Sequence, residues 1–238
     1  MNAPEGAATV KTFEIDIATA DGAMNTFVAH PDRDGPCPAI FMYIPSSGVR
    51  DELRAMARRM ASHGYVVYLP NVYYRMVRVV DIDANRLFDE DYEPVKLFMN
   101  ALNNGYTNTM SVSDTAAMLE FAGAQPYVKD GPVGVVGYCM GGRLALSAIG
   151  AFPGRIAAMA SLYGGKLLTD QPDSPHRASA DITGELYFGI AENDAYVPMA
   201  MNEQLRRHLD QIGANYRMEV YPDTEHGFCF PKRYCYAP

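Results

Sequence analysis

The chain has 238 residues, of which 48% are hydrophobic, and carries a formal charge of −8 at pH 7. This length suits one large α/β domain or two small ones and allows a substantial core. Basic residues form only short clusters such as Arg206-Arg207, so the acidic balance argues against nucleic-acid binding by bulk charge. No apolar run approaches the length of a membrane span, and residues 1–6 lack the basic start of a signal peptide.

Four cysteines in a chain of this size, without a secretory signal, predict free thiols instead of a disulfide framework. We therefore expect a cytoplasmic protein. His30, His63, His176 and His208 have no metal-ligand spacing to another histidine or to a cysteine, and no metal site is predicted. No glycine-rich nucleotide-binding motif is present either.

Short apolar or alternating runs bounded by turn residues predict eight strands, at residues 12–19, 24–30, 39–44, 65–69, 132–136, 156–163, 185–190 and 216–221. Apolar residues at helical spacing predict five helices, at residues 52–63, 94–102, 113–124, 141–150 and 199–212. We expect Asp51 to cap the first helix, and Ser111 or Ser113 to cap the third.

Strands that alternate with helices over most of the length predict a mostly parallel, doubly wound sheet flanked by helices, in the α/β class. No internal repeat, low-complexity block or linker is found, which favours a single domain over residues 1–238. Residues 1–10 have the composition of a flexible tail. Residues 71–108 hold several tyrosines and arginines and predict an excursion over the active face, whereas the polar, proline-rich residues 170–183 predict a loop.

Residues 137–142 have the sequence Gly-Tyr-Cys-Met-Gly-Gly and directly follow the apolar run 132–136. This pattern predicts a nucleophile elbow, a strand that turns sharply into a helix, with Cys139 at the apex in place of serine. The flanking glycines fit because the apex backbone is strained, and a Cβ two residues to either side would collide with a neighbouring strand or helix. A helix N-terminus also lowers the pKa of a thiol, so the motif predicts a hydrolase with a cysteine nucleophile.

A cysteine nucleophile needs a base to take its proton and an acid to orient that base. In the α/β-hydrolase arrangement the acid and then the histidine follow the nucleophile, each on a loop after a later strand. Asp194 follows the strand predicted to end near Ile190, and His226 follows the strand predicted to end at Tyr221. We therefore expect Cys139 to attack an ester or lactone carbonyl, His226 to transfer the proton and Asp194 to orient the imidazole.

The negative charge that develops on the substrate oxygen requires backbone N–H donors near the nucleophile. We expect one from Met140, at the start of the helix after Cys139. The second is expected from the Pro-Ser-Ser-Gly loop at residues 45–48, most simply from Ser46.

Three segments together resemble the dienelactone hydrolases, also called carboxymethylenebutenolidases: the motif at 137–142, Glu-Asn-Asp at 192–194 ahead of Val-Pro, and His-Gly-Phe at 226–228. The resemblance covers about residues 12–230. It includes residues 69–75, which are similar to the family's P-D-L-Y-x-R segment. It implies an α/β-hydrolase fold, no cofactor, and a Cys-His-Asp triad that acts on unsaturated lactones or related small esters.

The sequence departs from the family at two places. Family members carry an acidic residue, which helps to govern thiol ionisation, in the loop before the first helix, and Pro45 takes its position here. Founding members also carry an arginine shortly after the catalytic histidine that grips the substrate carboxylate. Phe230 stands at that spacing, with Lys232 and Arg233 just beyond it.

Other charged residues could replace these functions. Glu192 and Glu225 each adjoin a predicted triad member and could supply the missing acid, although each also fits a solvated loop carboxylate. Three arginines of the excursion could hold a substrate carboxylate or could lie on the surface, namely Arg75, Arg78 and Arg86.

Two other functions remain open at this stage. A non-catalytic or sensing protein of the same fold could bind a small ligand without turnover, which the replacement at Pro45 and the short segment after His226 would allow. A thiol-redox role is weaker because no C-x-x-C motif exists. The sequence predicts a small-molecule lactone or ester substrate, no nucleic-acid or membrane partner, and does not determine the oligomeric state.

Overall fold

The structure is a computed structural model that describes residues 9–80 and 82–238. Within these residues, eight strands form one sheet in the order β1-β2-β4-β3-β5-β6-β7-β8. Their bounds are β1 Val10–Thr19, β2 Gly22–Pro31, β3 Ala39–Tyr43, β4 Val66–Pro70, β5 Val133–Tyr138, β6 Ile156–Leu162, β7 Glu185–Ala191 and β8 Tyr216–Tyr221. All eight predicted strands are confirmed, with ends within two residues of the predicted ones.

Strands β1 and β2 form an antiparallel hairpin, and β2 also runs antiparallel to β4. From β4 to β8 all neighbouring strands are parallel. The mostly parallel α/β sheet that the sequence predicts is therefore confirmed. Because the parallel strands share one direction, their carboxyl ends meet at one edge of the sheet, where binding sites of such folds lie.

Five α-helices connect or flank the strands in the described part of the chain: α1 Asp51–Ser62, α2 Glu93–Gly105, α3 Asn108–Gly123, α4 Met140–Ala151 and α5 Met199–Gln211. Helix α4 is buried over nearly its whole length because it packs against β3, β5 and β6 on one side and α3 on another. None of the helices in the described part of the chain is long and apolar enough to span a bilayer.

Several local predictions are wrong. The residue that caps α1 is Arg50, so Asp51 already lies in the first turn, where its charge still favours the helix N-terminus. Helix α3 begins earlier than predicted, because Thr107 and not Ser111 or Ser113 accepts the first backbone N–H, from Met110. The predicted loop at 170–183 contains a short 3-10 helix, Pro175–Asp181.

The predicted tail falls mostly outside the described residues, since residues 1–8 are not among them, and β1 already begins at Val10. Residues 71–108 hold two short 3-10 turns and α2 between β4 and α3. Of the residues of α2, only Met99 and Leu102 are buried. After β8, residues 222–238 form turns without a helix or strand.

Candidate active site

Cys139 lies at the sharp turn between β5 and α4, with φ 54° and ψ −117°. Such a positive φ is strained for a residue with a side chain. The turn is possible because of its glycines: a Cβ on Gly137 would lie 1.9 Å from the carbonyl oxygen of Gly141, and a Cβ on Gly141 would lie 2.3 Å from that of Tyr43. The predicted elbow geometry is therefore present, with the thiol at the carboxyl end of β5.

Asp194 and His226 meet at the same edge of the sheet. Asp194 follows β7, His226 follows β8, and Asp194 Oδ2 lies 2.8 Å from His226 Nδ1. The other carboxylate oxygen accepts the backbone N–H groups of Tyr196 and Val197 at 2.9 and 3.0 Å. These bonds fix the buried carboxylate, so that it can hold the imidazole in one orientation.

The imidazole of His226 interacts with the sulfur of Cys139 through charge and a hydrogen bond. Burial opposes ionisation of the thiol, but the charge of His226 and the hydrogen bonds to the sulfur outweigh it, and the pKa of Cys139 falls below its ordinary value. Burial alone would lower the pKa of His226, but the negative charge of Cys139 and the bond to Asp194 raise that pKa well above its ordinary range. The two shifts together favour a thiolate–imidazolium pair.

The backbone N–H groups of Met140 and Ser46 both point at the sulfur of Cys139, and both lower its pKa. The two predicted donors therefore both lie within hydrogen-bond reach of the Cys139 sulfur. A residue that the sequence reasoning missed connects them: the hydroxyl of Tyr73 lies 3.2 Å from the sulfur of Met140 and 3.3 Å from the carbonyl oxygen of Ser46. The sequence feature that could have identified Tyr73 is the resemblance of residues 69–75 to a segment of the family.

A cavity of about 350 Å³ opens above Cys139 and His226. Its walls come from the loop at 45–48, from the excursion, from the loops after β6 and β7, and from the segment after His226. The described lining includes Pro45, Tyr163, Tyr196 and Phe230 and the basic side chains of Arg50, Arg143, Lys166 and Arg233. No aspartate or glutamate is among the described residues that line it, although the whole chain carries a charge of −8.

The arginines of the excursion do not line this cavity. Arg75 binds the buried carboxylate of Asp114 through two hydrogen bonds of 2.8 Å, which makes it a structural residue. Arg78 pairs with Asp16 on the surface. Arg86 pairs with neighbouring aspartates and is likewise outside the cavity.

A different arginine lines the cavity close to the elbow. Arg143 lies on α4, is buried, and donates to Asn108 Oδ1 at 2.5 Å and to the carbonyl oxygen of Tyr106 at 2.8 Å. These bonds tie the end of the excursion to the elbow helix. Burial lowers the pKa of Arg143.

The two acidic candidates are used elsewhere. Glu192 accepts the backbone N–H of Asp223 at 2.8 Å, which stabilises the loop that leads to His226. Glu225 accepts the hydroxyl of Tyr234 at 3.2 Å. Neither lines the cavity, and Pro45 stands in the wall where the family's acid is expected.

The segment after His226 places the cation of Arg233 in the cavity wall. Phe230 lines the wall, with the guanidinium of Arg50 5.2 Å from its ring centre, and Arg233 lines the wall beside it. The segment is fixed by two distant elements: the N–H of Lys232 donates to Glu52 of α1 at 2.7 Å, and its carbonyl accepts from Asn85 of the excursion at 3.0 Å.

The sheet order, the strained apex of the elbow and the Asp–His pair on the last two strands define an α/β hydrolase. The model of the family described as "Dienelactone hydrolase family" matches residues 24–237, and the chain belongs to this family.

Relatives of known name agree with this assignment. A protein of Synechocystis sp., provisionally named a carboxymethylenebutenolidase, is 28% identical over 231 residues, which is 95% of this chain and 90% of that protein. The carboxymethylenebutenolidase of Pseudomonas putida is 26% identical over 224 residues, covering 92% and 85% of the two chains. A crystal structure assigned provisionally as a dienelactone hydrolase of Klebsiella pneumoniae shares the fold, with a TM-score of 0.81, 23% identity, and coverage of 96% of this chain and 92% of that one.

Proposed function

We propose that the protein hydrolyses a lactone or small carboxylic ester through a Cys139-His226-Asp194 triad. One observation carries this proposal: a thiol, an imidazole and a carboxylate from three separate loops interact in series at one cavity. The relatives named carboxymethylenebutenolidase support the same reaction class.

The first half-reaction forms an acyl-enzyme. The thiolate of Cys139 adds to the ester carbonyl carbon, and the N–H groups of Met140 and Ser46 stabilise the resulting oxyanion. The carbon–oxygen bond to the leaving group breaks, the leaving oxygen takes the proton of the His226 imidazolium, and a thioester remains on Cys139. In a lactone the leaving oxygen stays attached to the acyl chain.

The second half-reaction consumes water. Neutral His226 takes a proton from a water molecule, and the oxygen of that water adds to the thioester carbonyl. When the carbon–sulfur bond breaks, the carboxylic acid leaves and the thiolate–imidazolium pair is restored. Asp194 holds the imidazole in the same orientation through both steps.

The charge of the cavity favours a substrate with an anionic group. No acidic side chain among the described lining residues balances the positive charge that three arginines and a lysine bring to the walls, namely Arg50, Arg143, Lys166 and Arg233. Arg50 is paired with Glu52 at 3.3 Å, and the guanidinium of Arg143 is held by Asn108 and the carbonyl oxygen of Tyr106. Lys166 and Arg233 are therefore the better candidates for the substrate. We propose that Arg233 takes the place of the arginine that the family carries at the position of Phe230.

We further propose that the 238 residues form one domain and that the protein acts in the cytoplasm. The single sheet to which all eight described strands belong supports the first statement. The four free thiols support the second, because cytoplasmic conditions keep thiols reduced.

The test is an esterase assay with an aryl acetate and an enol lactone on the wild type and on Cys139→Ala and His226→Ala. We expect both variants to lose at least about a thousandfold in kcat, in line with other triads. Mass spectrometry after rapid acid quenching should find an acyl group on Cys139 in the wild type. As a matched control, Cys37→Ala removes a buried thiol far from the cavity and should keep full activity.

Full activity of either triad variant would contradict the proposal. The alternative of a sensing protein without turnover predicts a different result. It would be supported if the wild type bound the lactone but neither released product nor carried an acyl group.

A further inference from the structure

Two tyrosine rings contact the imidazole of His226. The ring centre of Tyr163 is 4.9 Å away at an interplanar angle of 63°, and that of Tyr196 is 5.0 Å away at 60°. Both centroid distances are shorter than the roughly 6 Å over which the face of an aromatic ring attracts a cation. We call the pair Tyr163 and Tyr196 the aromatic bracket of His226.

Tyr163 is held in the bracket by its surroundings. It follows β6 with φ 41°, a strained value for a residue with a side chain, and it is only 2% exposed. Its ring also contacts Tyr138, Phe228 and Phe230. Its hydroxyl has no hydrogen-bond partner among the described residues. Within the described residues, this side chain therefore makes its contacts through the ring and not through the hydroxyl.

Tyr196 approaches the imidazole from a different loop. It lies in the loop after β7 that also carries Asp194, and its backbone N–H donates to that carboxylate at 2.9 Å. The residue is 56% exposed, yet its ring lines the cavity. The loop that orients His226 through a carboxylate therefore also covers the imidazole with an aromatic ring.

The charged groups that raise the pKa of His226 are of one sign. Cys139 at the elbow and Asp194 on the β7 loop are the anions that raise its pKa, and burial acts in the opposite direction. The cations in the cavity walls, including Arg233 and Lys166, would repel an imidazolium. A neutral group that attracts positive charge therefore stabilises a buried imidazolium near such cations.

We propose that Tyr163 and Tyr196 are positioning residues whose rings hold the imidazole of His226 and stabilise its protonated form, and thereby the thiolate of Cys139. The effect of these rings on the rate of ester hydrolysis rests on the proposed function. The interaction itself exists whether or not the protein turns over an ester.

Tyr196 is the residue to vary, because it is half exposed and its replacement leaves the core intact. Tyr196→Phe keeps the ring, whereas Tyr196→Leu keeps an apolar side chain that shields the imidazole from water but has no aromatic face. We would measure the rate of Cys139 alkylation by iodoacetamide against pH, and the His226 ring titration by NMR. Neither measurement requires turnover, so a protein that is inactive on every ester still tests this proposal.

We expect Tyr196→Phe to match the wild type in both measurements. In Tyr196→Leu we expect the pKa of His226 to fall and that of Cys139 to rise, each by roughly half to one unit. Esterase kcat at neutral pH should fall with the thiolate fraction, while KM stays within about twofold.

If Tyr196→Leu and Tyr196→Phe both titrate like the wild type, the proposal is overturned, because a purely structural role of Tyr196 predicts that result. A shift in the Phe variant as large as that in the Leu variant would also overturn it, since the hydroxyl would then be responsible. If Tyr196→Leu fails to fold, Tyr196→Met provides the same comparison.

Discussion

The hydroxyl of Tyr73 donates to the sulfur of Met140 across 3.2 Å. The same hydroxyl lies 3.3 Å from the carbonyl oxygen of Ser46. Tyr73 is fully buried, so its position is fixed by packing. It therefore connects the two residues whose N–H groups bond to the sulfur of Cys139, and it restrains the loop at 45–48 relative to the elbow helix.

Loss of this connection should weaken oxyanion stabilisation. We expect Tyr73→Phe to lower kcat by about tenfold, because a donor that is misplaced by less than an ångström loses part of its effect in the transition state. KM should change little. The matched control is Tyr43→Phe, which removes another buried hydroxyl, bonded to Thr115. An equal loss of kcat in both variants would indicate a general loss of packing.

The reactivity of Cys139 should depend on His226 in a defined direction. Burial opposes ionisation of Cys139, but the imidazolium and the hydrogen bonds to the sulfur lower its pKa, so alkylation by iodoacetamide should rise with pH through a midpoint below the ordinary cysteine range. In His226→Ala, burial acts unopposed by the imidazolium, and the midpoint should move upward. Peptide mass spectrometry can follow the reaction at each cysteine.

Cys229 provides an internal control in the same experiment, because burial raises its pKa to about 12. It should remain unlabelled at neutral pH in both proteins. An alkylation profile of Cys139 that is identical with and without His226 would disprove the ion pair.

The elbow should tolerate no side chain at Gly141. A Cβ there would lie 2.3 Å from the carbonyl oxygen of Tyr43, and the backbone of β3 cannot move without breaking its ladders. We expect Gly141→Ala to lower the free energy of unfolding by at least about 3 kcal/mol or to prevent folding. Urea titration measures the effect.

Gly123 is the control for that substitution. It lies at the end of α3, and nothing within 4 Å would meet an added Cβ. Gly123→Ala should be neutral or stabilise the protein by about 0.5 to 1 kcal/mol. Similar destabilisation at both positions would contradict the steric explanation.

Recognition of an anionic substrate should depend on Arg233. We expect Arg233→Met to lower kcat/KM for a hemi-ester of a dicarboxylic acid by about tenfold or more, mainly through KM, and to leave the neutral methyl ester nearly unchanged. The adjacent cation provides the control: Lys232 does not line the cavity, so Lys232→Met should affect both esters equally. If Arg233→Met weakened both esters alike, charge recognition by Arg233 would be excluded.

The sequence predicted what depends on local pattern. The apolar runs determine the strands, and the glycines at 137 and 141 identify the elbow because the collisions they avoid follow from backbone geometry alone. Strand direction then brings Asp194 and His226 to the edge that carries Cys139, since parallel strands have their carboxyl ends at one edge.

Contacts between distant segments could not be predicted in this way. Arg75 binds Asp114 and does not line the cavity. A buried carboxylate is costly unless a cation pairs with it. Arg233 reaches the cavity because Glu52 and Asn85 hold the segment around Lys232. The start of α3 at Thr107 was missed because a threonine cap competes with two nearby serines that fit the same pattern.

The attachment of Lys232 to Glu52 has an evolutionary consequence. The proposed triad lies in turns at the carboxyl ends of β5, β7 and β8, whereas the wall from Phe230 to Arg233 is held from outside the sheet by α1 and the excursion. Mutations in that peripheral wall can therefore alter which molecules are accepted while the chemistry stays intact. Divergence of substrate range within such a lineage, or its redirection in the laboratory, should begin there.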